Sequence, residues 1–297
     1  MNNDNLELLV EESLQYKTFS FEDINQLADV FLGKCIVETR NVKMFVEYLM
    51  NSYKHKYSID NNYLSVVSYL FDYKIVEKLK FPRFVIGESL LPRCMEALEE
   101  AGFIDTLKEK GFQEKFGAKF VKDGKVCDYL FADQYTKGWN WTWQVPRGEF
   151  DKTLADAVEA MGVPVSYETT VVDIKFNGSD SVTKTIDNSG EECEIEAKFI
   201  VDGSGYGRVI PKLFNLDRPS NLSARKAIFT HTYDINRSMS DEPNRITIVV
   251  HQPGIWIWVI PFSNGITSLG FVGDPEFFKD LEGSNDEQLR TLISREP

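Results

Sequence analysis

Proline and glycine are nearly missing from the first part of this sequence. Pro82 is the first proline, and Gly33 is the only glycine before Gly87, whereas both residues are frequent afterwards. That scarcity excludes a glycine-rich turn from the opening stretch. Cysteine is sparse too. Cys35, Cys94, Cys127 and Cys193 lie far apart and form no CxxC pair, which argues against a disulfide framework and suits a reducing cytoplasm. His55, His231 and His251 do not cluster, so no metal site is expected. No apolar run approaches the ~18 residues of a membrane span. The acidic start MNNDNLELL has no basic region ahead of an apolar run, so no signal peptide is expected. Positive charge is in short supply, with 33 Lys and Arg against 46 Asp and Glu. The net charge of −13 speaks against a nucleic-acid or anionic membrane surface and fits a protein with a small-molecule ligand.

Hydrophobic residues, 42% of the chain, are enough for a packed core. The shift in glycine and proline usage divides the chain near residues 72–80. Residues 1–73 read as a helical segment of unknown role. Residues 21–32, 41–57 and 61–72 carry apolar side chains at three- and four-residue spacing, with Ser20 as an N-cap. Residues 74–297 alternate strands and helices. Lys74–Glu77, 171–177 and 198–202 read as strands, and 88–101 and 149–161 as amphipathic helices. Three strand-like runs, 246–251, 255–262 and 266–272, are separated by Gln252-Pro253-Gly254 and Ser263-Asn264-Gly265. Those tripeptides predict an antiparallel meander, and 275–294 return to helix. The fold class is α/β, in a mixed α+β arrangement with a nucleotide-binding layer beside an antiparallel sheet.

Four stretches carry candidate chemistry. In Val201–Arg208 (VDGSGYGR) an apolar run enters glycines and a helix-like segment leaves them. The backbone there could approach a ligand, or simply turn. Phe81–Pro92 (FPRFVIGESLLP) is a loop and then a helix, with Ser89 a possible cap. In Trp256–Pro261 (WIWVIP) strand geometry puts Trp256 and Trp258 on one face and Ile257 and Val259 on the other. Such a pair either belongs to a core or walls a flat ligand. Trp139, Trp141 and Trp143 share the period of two and could face the same space. Lys115, in KFGAK, is a surface lysine or, beside an apolar cavity, an amine of lowered basicity.

Taken in order, Glu77, FPRFVIGESLLP (81–92), KFGAKF (115–120), VPRGEFD (145–151), DGSGYGR (202–208) and WIWVIP (256–261) resemble the flavin-dependent halogenase family, within the FAD-dependent monooxygenase-type oxidoreductases. The resemblance covers roughly residues 74–280, about two thirds of the chain. It implies a GR2-type FAD-binding fold with an antiparallel substrate-domain sheet, incomplete here, behind the helical segment. It implies FAD as cofactor, held by Glu77 at the ribose, Arg147 on the flavin side, Val171 near adenine, and Asp202, Ser204 and Gly205 in a second loop. It implies Lys115 as the lysine between flavin and substrate, with Lys119 as the competing choice and Ser89 in the catalytic group. Glu88, Trp256, Trp258 and Pro261 would line the substrate side. The implied chemistry is a flavin peroxide that oxidises halide, with the lysine delivering halogen to an electron-rich carbon of an aromatic or flat apolar molecule. A separate flavin reductase is implied as partner, since nothing resembles a nicotinamide site.

The family pattern is only partly present. No GxGxxG precedes Glu77, Tyr206 and Gly207 are inserted before Arg208, and no GDA-type segment occurs before Pro297. An incomplete or rearranged chain is therefore expected. Two alternatives stand beside the halogenase-like enzyme: a relative that has lost FAD binding, and a monooxygenase that uses no halide.

Overall fold

The computed structural model describes residues 73–237 and 245–296. The helix expectations at 21–32, 41–57 and 61–72 lie outside the described residues. The chain divides into two compact units, Met1–Tyr73 with Met161–Val163, and Lys74–Ala160 with Pro164–Pro297. Nearly every described residue belongs to the second.

Its largest element is a six-stranded sheet in the order β10-β13-β12-β11-β3-β4. The strands are β3 (Gly117–Lys122), β4 (Lys125–Leu130), β10 (Lys226–Tyr233), β11 (Ile246–Gln252), β12 (Ile255–Pro261) and β13 (Ile266–Gly273). The expected meander is present. Gly254 and Gly265 turn its corners at φ 83° and 82°, a region that a side chain resists. β11 joins β3 in parallel, and the other pairings of the sheet are antiparallel.

Alternation gives the sheet two faces. Ile228, Ile257 and Phe271 point to one side and form a core with Phe278, Leu281, Leu289 and Leu292. The last two lie on a C-terminal helix, Asn285–Ile293, which starts in a capping box: Ser284 and Glu287 satisfy each other's backbone N–H groups. The opposite face carries Trp256, Trp258, Phe229, His231 and Gly270. Gly270 sits between Phe229 and Trp258 in register, and a Cβ on it would lie 2.4 Å from the Trp258 ring and 2.6 Å from Phe229. Gly270→Val should therefore destabilise the sheet by about 2 kcal/mol through overpacking. A lowered urea midpoint would show it; an unchanged midpoint would mean that Trp258 swings away freely.

The remaining strands are short or local. β1 (Ile75–Val76) pairs in parallel with β6 (Val165–Ser166). β7 (Thr169–Asn177), β8 (Asp180–Asp187) and β9 (Glu192–Ala197) form an antiparallel sheet. β2 (Gln113–Lys115) pairs with β5 (Thr142–Gln144), and Ser89 bridges to Gln144 on the far side of β5.

Helix α1 (Pro92–Glu100) is shorter than the expected 88–101. Its N-cap position is Leu91, with no side-chain cap, so Ser89 does not cap it. The reason is the bridge to β5, which keeps 88–90 extended. Helices α2 (Ile104–Lys108) and α3 (Arg147–Ala160) complete a second core of Met95, Leu107, Phe112, Trp143, Val145 and Phe150. Trp139 and Trp141 pack against that core. Trp143 meets Trp141 edge to face, and Trp141 meets Trp139 likewise. This aromatic run is therefore core structure and does not share the face of Trp256 and Trp258.

The strand expected at 198–202 does not form. No ladder takes its backbone, and Phe199 and Val201 are 83% and 82% exposed. A strand exists only where a neighbour accepts its hydrogen bonds, and β1 and β6 pair only with each other. Among the described residues Cys94, Cys127 and Cys193 are free, and no helix is long and apolar enough to cross a membrane.

Candidate functional site

The segment 84–90 lies where the small sheet, helix α3 and the tryptophan face of the large sheet meet. Backbone bonds fix it to β5: Val145 N–H donates to Glu88 O (2.8 Å) and Leu90 N–H to Trp143 O (3.1 Å). Lys115 leaves β2 one strand away, opposite Thr142. Its Nζ donates to Ser89 Oγ (2.8 Å) and to the Leu90 carbonyl (2.7 Å), and stands 5.1 Å from the centre of the Phe131 ring. The residue is 2% exposed. Burial pushes the amine down from 10.5 to about 8, against the opposing pull of Cys94.

Gln144, on the same small sheet, ties it to the large one. Its Nε2 donates to the Pro261 carbonyl (2.9 Å), at the end of the WIWVIP strand. Trp258 is held in place by a bond from its Nε1 to Ser268 Oγ (3.0 Å) and by the Phe229 ring at 5.8 Å. Phe84 stacks on Phe229 at 5.7 Å. Glu88, 2% exposed, reaches across to His231 on β10.

A chain of ion pairs runs along the other side of the segment. Arg83 pairs with Glu77 (3.0 Å) and with Asp151 (3.4 Å). Asp151 takes two bonds from Arg147, at 2.8 and 3.1 Å. The remaining Arg147 nitrogen donates to the carbonyls of Ile86 (3.0 Å) and Gly87 (3.3 Å). Gly87 has φ 103°, and a Cβ there would press on that guanidinium at 3.0 Å. Glu77 itself follows β1, at the carboxyl end of the parallel pair, and also accepts from Leu79 N–H (2.9 Å). The neighbouring strand β7 begins with Thr169 donating to Glu77 O (3.1 Å), and Val171 follows two residues on.

The structure thus joins Glu77, Glu88, Ser89, Lys115, Arg147, Trp258 and Pro261 through a continuous set of contacts. Trp256 lies one step further along the same sheet face. Lys119 sits apart on β3, in register with Asp128 and Thr247. Asp202 and Ser204 serve their own loop. Asp202 accepts from Ser204 N–H (2.9 Å) and Ile210 N–H (3.0 Å), and Ser204 Oγ from Val209 N–H (2.9 Å). The Ser204 side chain, with those backbone groups, holds the Asp202 carboxyl below its usual range. Gly203 and Gly205 have open space where a Cβ would project. Arg83, Asp151, Gln144 and His231 were not singled out from sequence. The Arg147–Asp151 pair had a local signal, the i,i+4 spacing; the others had none.

Known proteins resemble this chain over much of its length. The tryptophan halogenase family model matches residues 121–295. A 1H-pyrrole-2-carbonyl-[peptidyl-carrier protein] chlorinase of Pseudomonas fluorescens is 25% identical over 236 residues, covering 72% of this chain and 53% of that protein. A tryptophan 2-halogenase of Chondromyces crocatus is 29% identical over 213 residues, covering 71% and 40%. The chain thus spans about half the length of the curated relatives it matches. A solved flavoprotein/dehydrogenase from Cytophaga hutchinsonii is 61% identical, with a TM-score of 0.73 over 75% of this chain and 55% of that one. The flavin-dependent halogenase CmlS shares the fold at 24% identity and a TM-score of 0.68. With the family model spanning more than half of the 297 residues, and with the fold of flavin-dependent halogenases beneath it, the chain belongs to the tryptophan halogenase family, a group of flavin-dependent oxidoreductases.

Proposed function

We propose that the chain carries the substrate-side chemistry of an FAD-dependent oxidoreductase of the halogenase type, acting on an aromatic or flat apolar small molecule. The observation that carries this reading is the Lys115 amine, buried, hydrogen-bonded to Ser89 and the Leu90 carbonyl, and 5.1 Å from the centre of the Phe131 ring. In water a lysine is an ammonium ion; burial makes this one a partly neutral amine, able to receive an electrophile. Ser89 and the Leu90 carbonyl hold it in one place. Trp256, Trp258 and Pro261 shape the partition against which a flat substrate rests. Lys119 is the second choice for the amine. Residues 74–297 form the oxidoreductase-like part and 1–73 a separate segment. The isolated thiols suit a cytoplasmic setting, and a separate reductase would supply reduced flavin.

The described residues fit FAD in part. Glu77 stands at the carboxyl end of a parallel strand pair, where such folds bind a ribose. Arg147 is held rigid by Asp151 and by the Ile86 and Gly87 carbonyls, and the open space over Gly203 and Gly205 leaves their backbone approachable. Glu77 and Arg147 would hold the cofactor, with Val171 and the 202–205 loop beside them. Bound flavin supplies activation of molecular oxygen. The chain's own groups exclude water and present the amine and the aromatic wall.

One observation favours a second reading, a relative without cofactor binding. Both oxygens of Asp202 are engaged by their own loop. Titration of the full chain with FAD separates the two. The enzyme reading expects saturable quenching of flavin fluorescence and a higher melting temperature. A chain whose melting temperature ignores excess FAD sinks it. Product formed equally with and without halide would select the monooxygenase form.

A further inference from the structure

His231 and Glu88 lie 143 positions apart in sequence and meet at 2.5 Å, Nε2 to Oε1. The Glu88 side chain is 1% exposed and the His231 side chain 34% exposed. When Glu88 is a carboxylate it only accepts, so Nε2 is then the donor, and a neutral imidazole in that tautomer presents its lone pair at Nδ1. Nδ1 has no hydrogen-bond partner among the described residues, and neither has Glu88 Oε2, which is fully buried. A buried carboxylate with one oxygen unpaired is costly, and such groups concentrate at functional sites.

The surroundings of the imidazole are aromatic. Phe84 meets it edge-on at 5.8 Å and Phe262 at 5.5 Å. Phe84 stacks on Phe229, and Phe229 leans on Trp258. Phe84 is 58% and Phe229 37% exposed, so ring surface remains open beside His231. Two cations bond to the residues flanking Glu88: the Lys115 amine to the Ser89 hydroxyl and the Arg147 guanidinium to the Gly87 carbonyl.

We propose that Glu88 and His231 form a general-base dyad that ionises a hydroxyl borne by the aromatic substrate. His231 is the catalytic residue and Glu88 the positioning residue. The proposal rests on the reading of this site as one for an aromatic substrate, and deepens it to hydroxyarenes. In the step, the substrate O–H bond breaks and an N–H bond forms at Nδ1. The electron pair stays on oxygen, and the imidazolium is held by Glu88 through Nε2–H. The proton then leaves to water from the exposed part of the ring. An aryl hydroxyl is acidic enough for an imidazole base, whereas a pyrrole or indole N–H is not. Ionisation pushes electron density into the ring, which is what attack on an electrophile at carbon requires.

The test uses the full chain without flavin or halide, so failure of flavin uptake leaves it readable. The probe is 4-nitrophenol at a pH about one unit below its own ionisation, with 4-nitroanisole as the ether that cannot ionise. The wild type should generate a saturable phenolate band and bind the phenol about tenfold tighter than the ether. His231→Gln and Glu88→Gln, with melting temperatures near wild type, should lose the band and bind the two probes alike. A probe that does not bind, or that binds without ionising, overturns the dyad. So does a band that persists in His231→Gln and vanishes in Lys115→Met, which would assign the proton to the lysine. None of these outcomes touches the flavin reading, whose own test is the FAD titration.

Discussion

Lys115→Met should lower product formation by ~10²–10⁴-fold, the order found on removing a positioned catalytic side chain, while oxidation of supplied reduced flavin continues. Methionine, one atom shorter, fills most of the same space without an amine, so a loss at unchanged melting temperature would report chemistry and not collapse of the site. The pH profile gives a second handle. With the amine at about 8, activity that needs its neutral form should rise about tenfold per pH unit below that value and level off above it. Lys115→Arg, permanently charged, should be as inactive as the methionine variant. Stability should move with pH in the same place. The folded value lies below the unfolded one, so between about pH 8 and 10.5 the folded chain binds fewer protons than the unfolded chain. The contribution of Lys115 to stability therefore rises with pH through that window, and Lys115→Met should remove that rise. Product formation that survives the methionine change would exclude Lys115 and turn attention to Lys119 or to plain oxygenation.

Where pairing is local, sequence and structure agree. The meander at 246–273 was readable because Gly254 and Gly265 mark its corners and the strands between alternate. Helix α3 was readable from its period. What escaped is what joins distant segments. The bonds of Gln144 to Pro261, and of Glu88 to His231, span 117 and 143 positions, and no local pattern encodes them. Ser89 shows the same limit in small. Its neighbours suggest a helix cap, yet the bridge to Gln144 holds it extended, and its hydroxyl oxygen accepts from the Lys115 amine. The run 198–202 is apolar enough for a strand, but strand formation depends on a partner that its own residues do not specify. The Trp139–Trp143 period promised a face. Burial of Trp143, set by helices before and after it, made that face a core.

Trp143→Ala should be the most destabilising single change in the small core, at about 3–5 kcal/mol. The ring is 2% exposed and shares its core with Met95, Leu107 and Val145, each 0% exposed. Its edge-to-face contact with Trp141 at 5.1 Å adds to the loss. For a unit of this size the melting temperature should fall by roughly 10 °C, and Trp143→Phe should recover most of it. The consequence for the site follows from the backbone. Trp143 O accepts from Leu90 N–H, and the Leu90 carbonyl accepts from the Lys115 amine. A chain still folded at low temperature should therefore keep the amine in place, because the substitution spares both backbone groups. Activity per folded molecule should change little below the new melting point, while half-life at higher temperature shortens sharply. A melting temperature unchanged within ~2 °C would mean that the ring is not the keystone of this core. A loss of turnover without loss of stability would mean that Trp143 acts on the site directly, not through the packing that holds β5 against the segment 88–90.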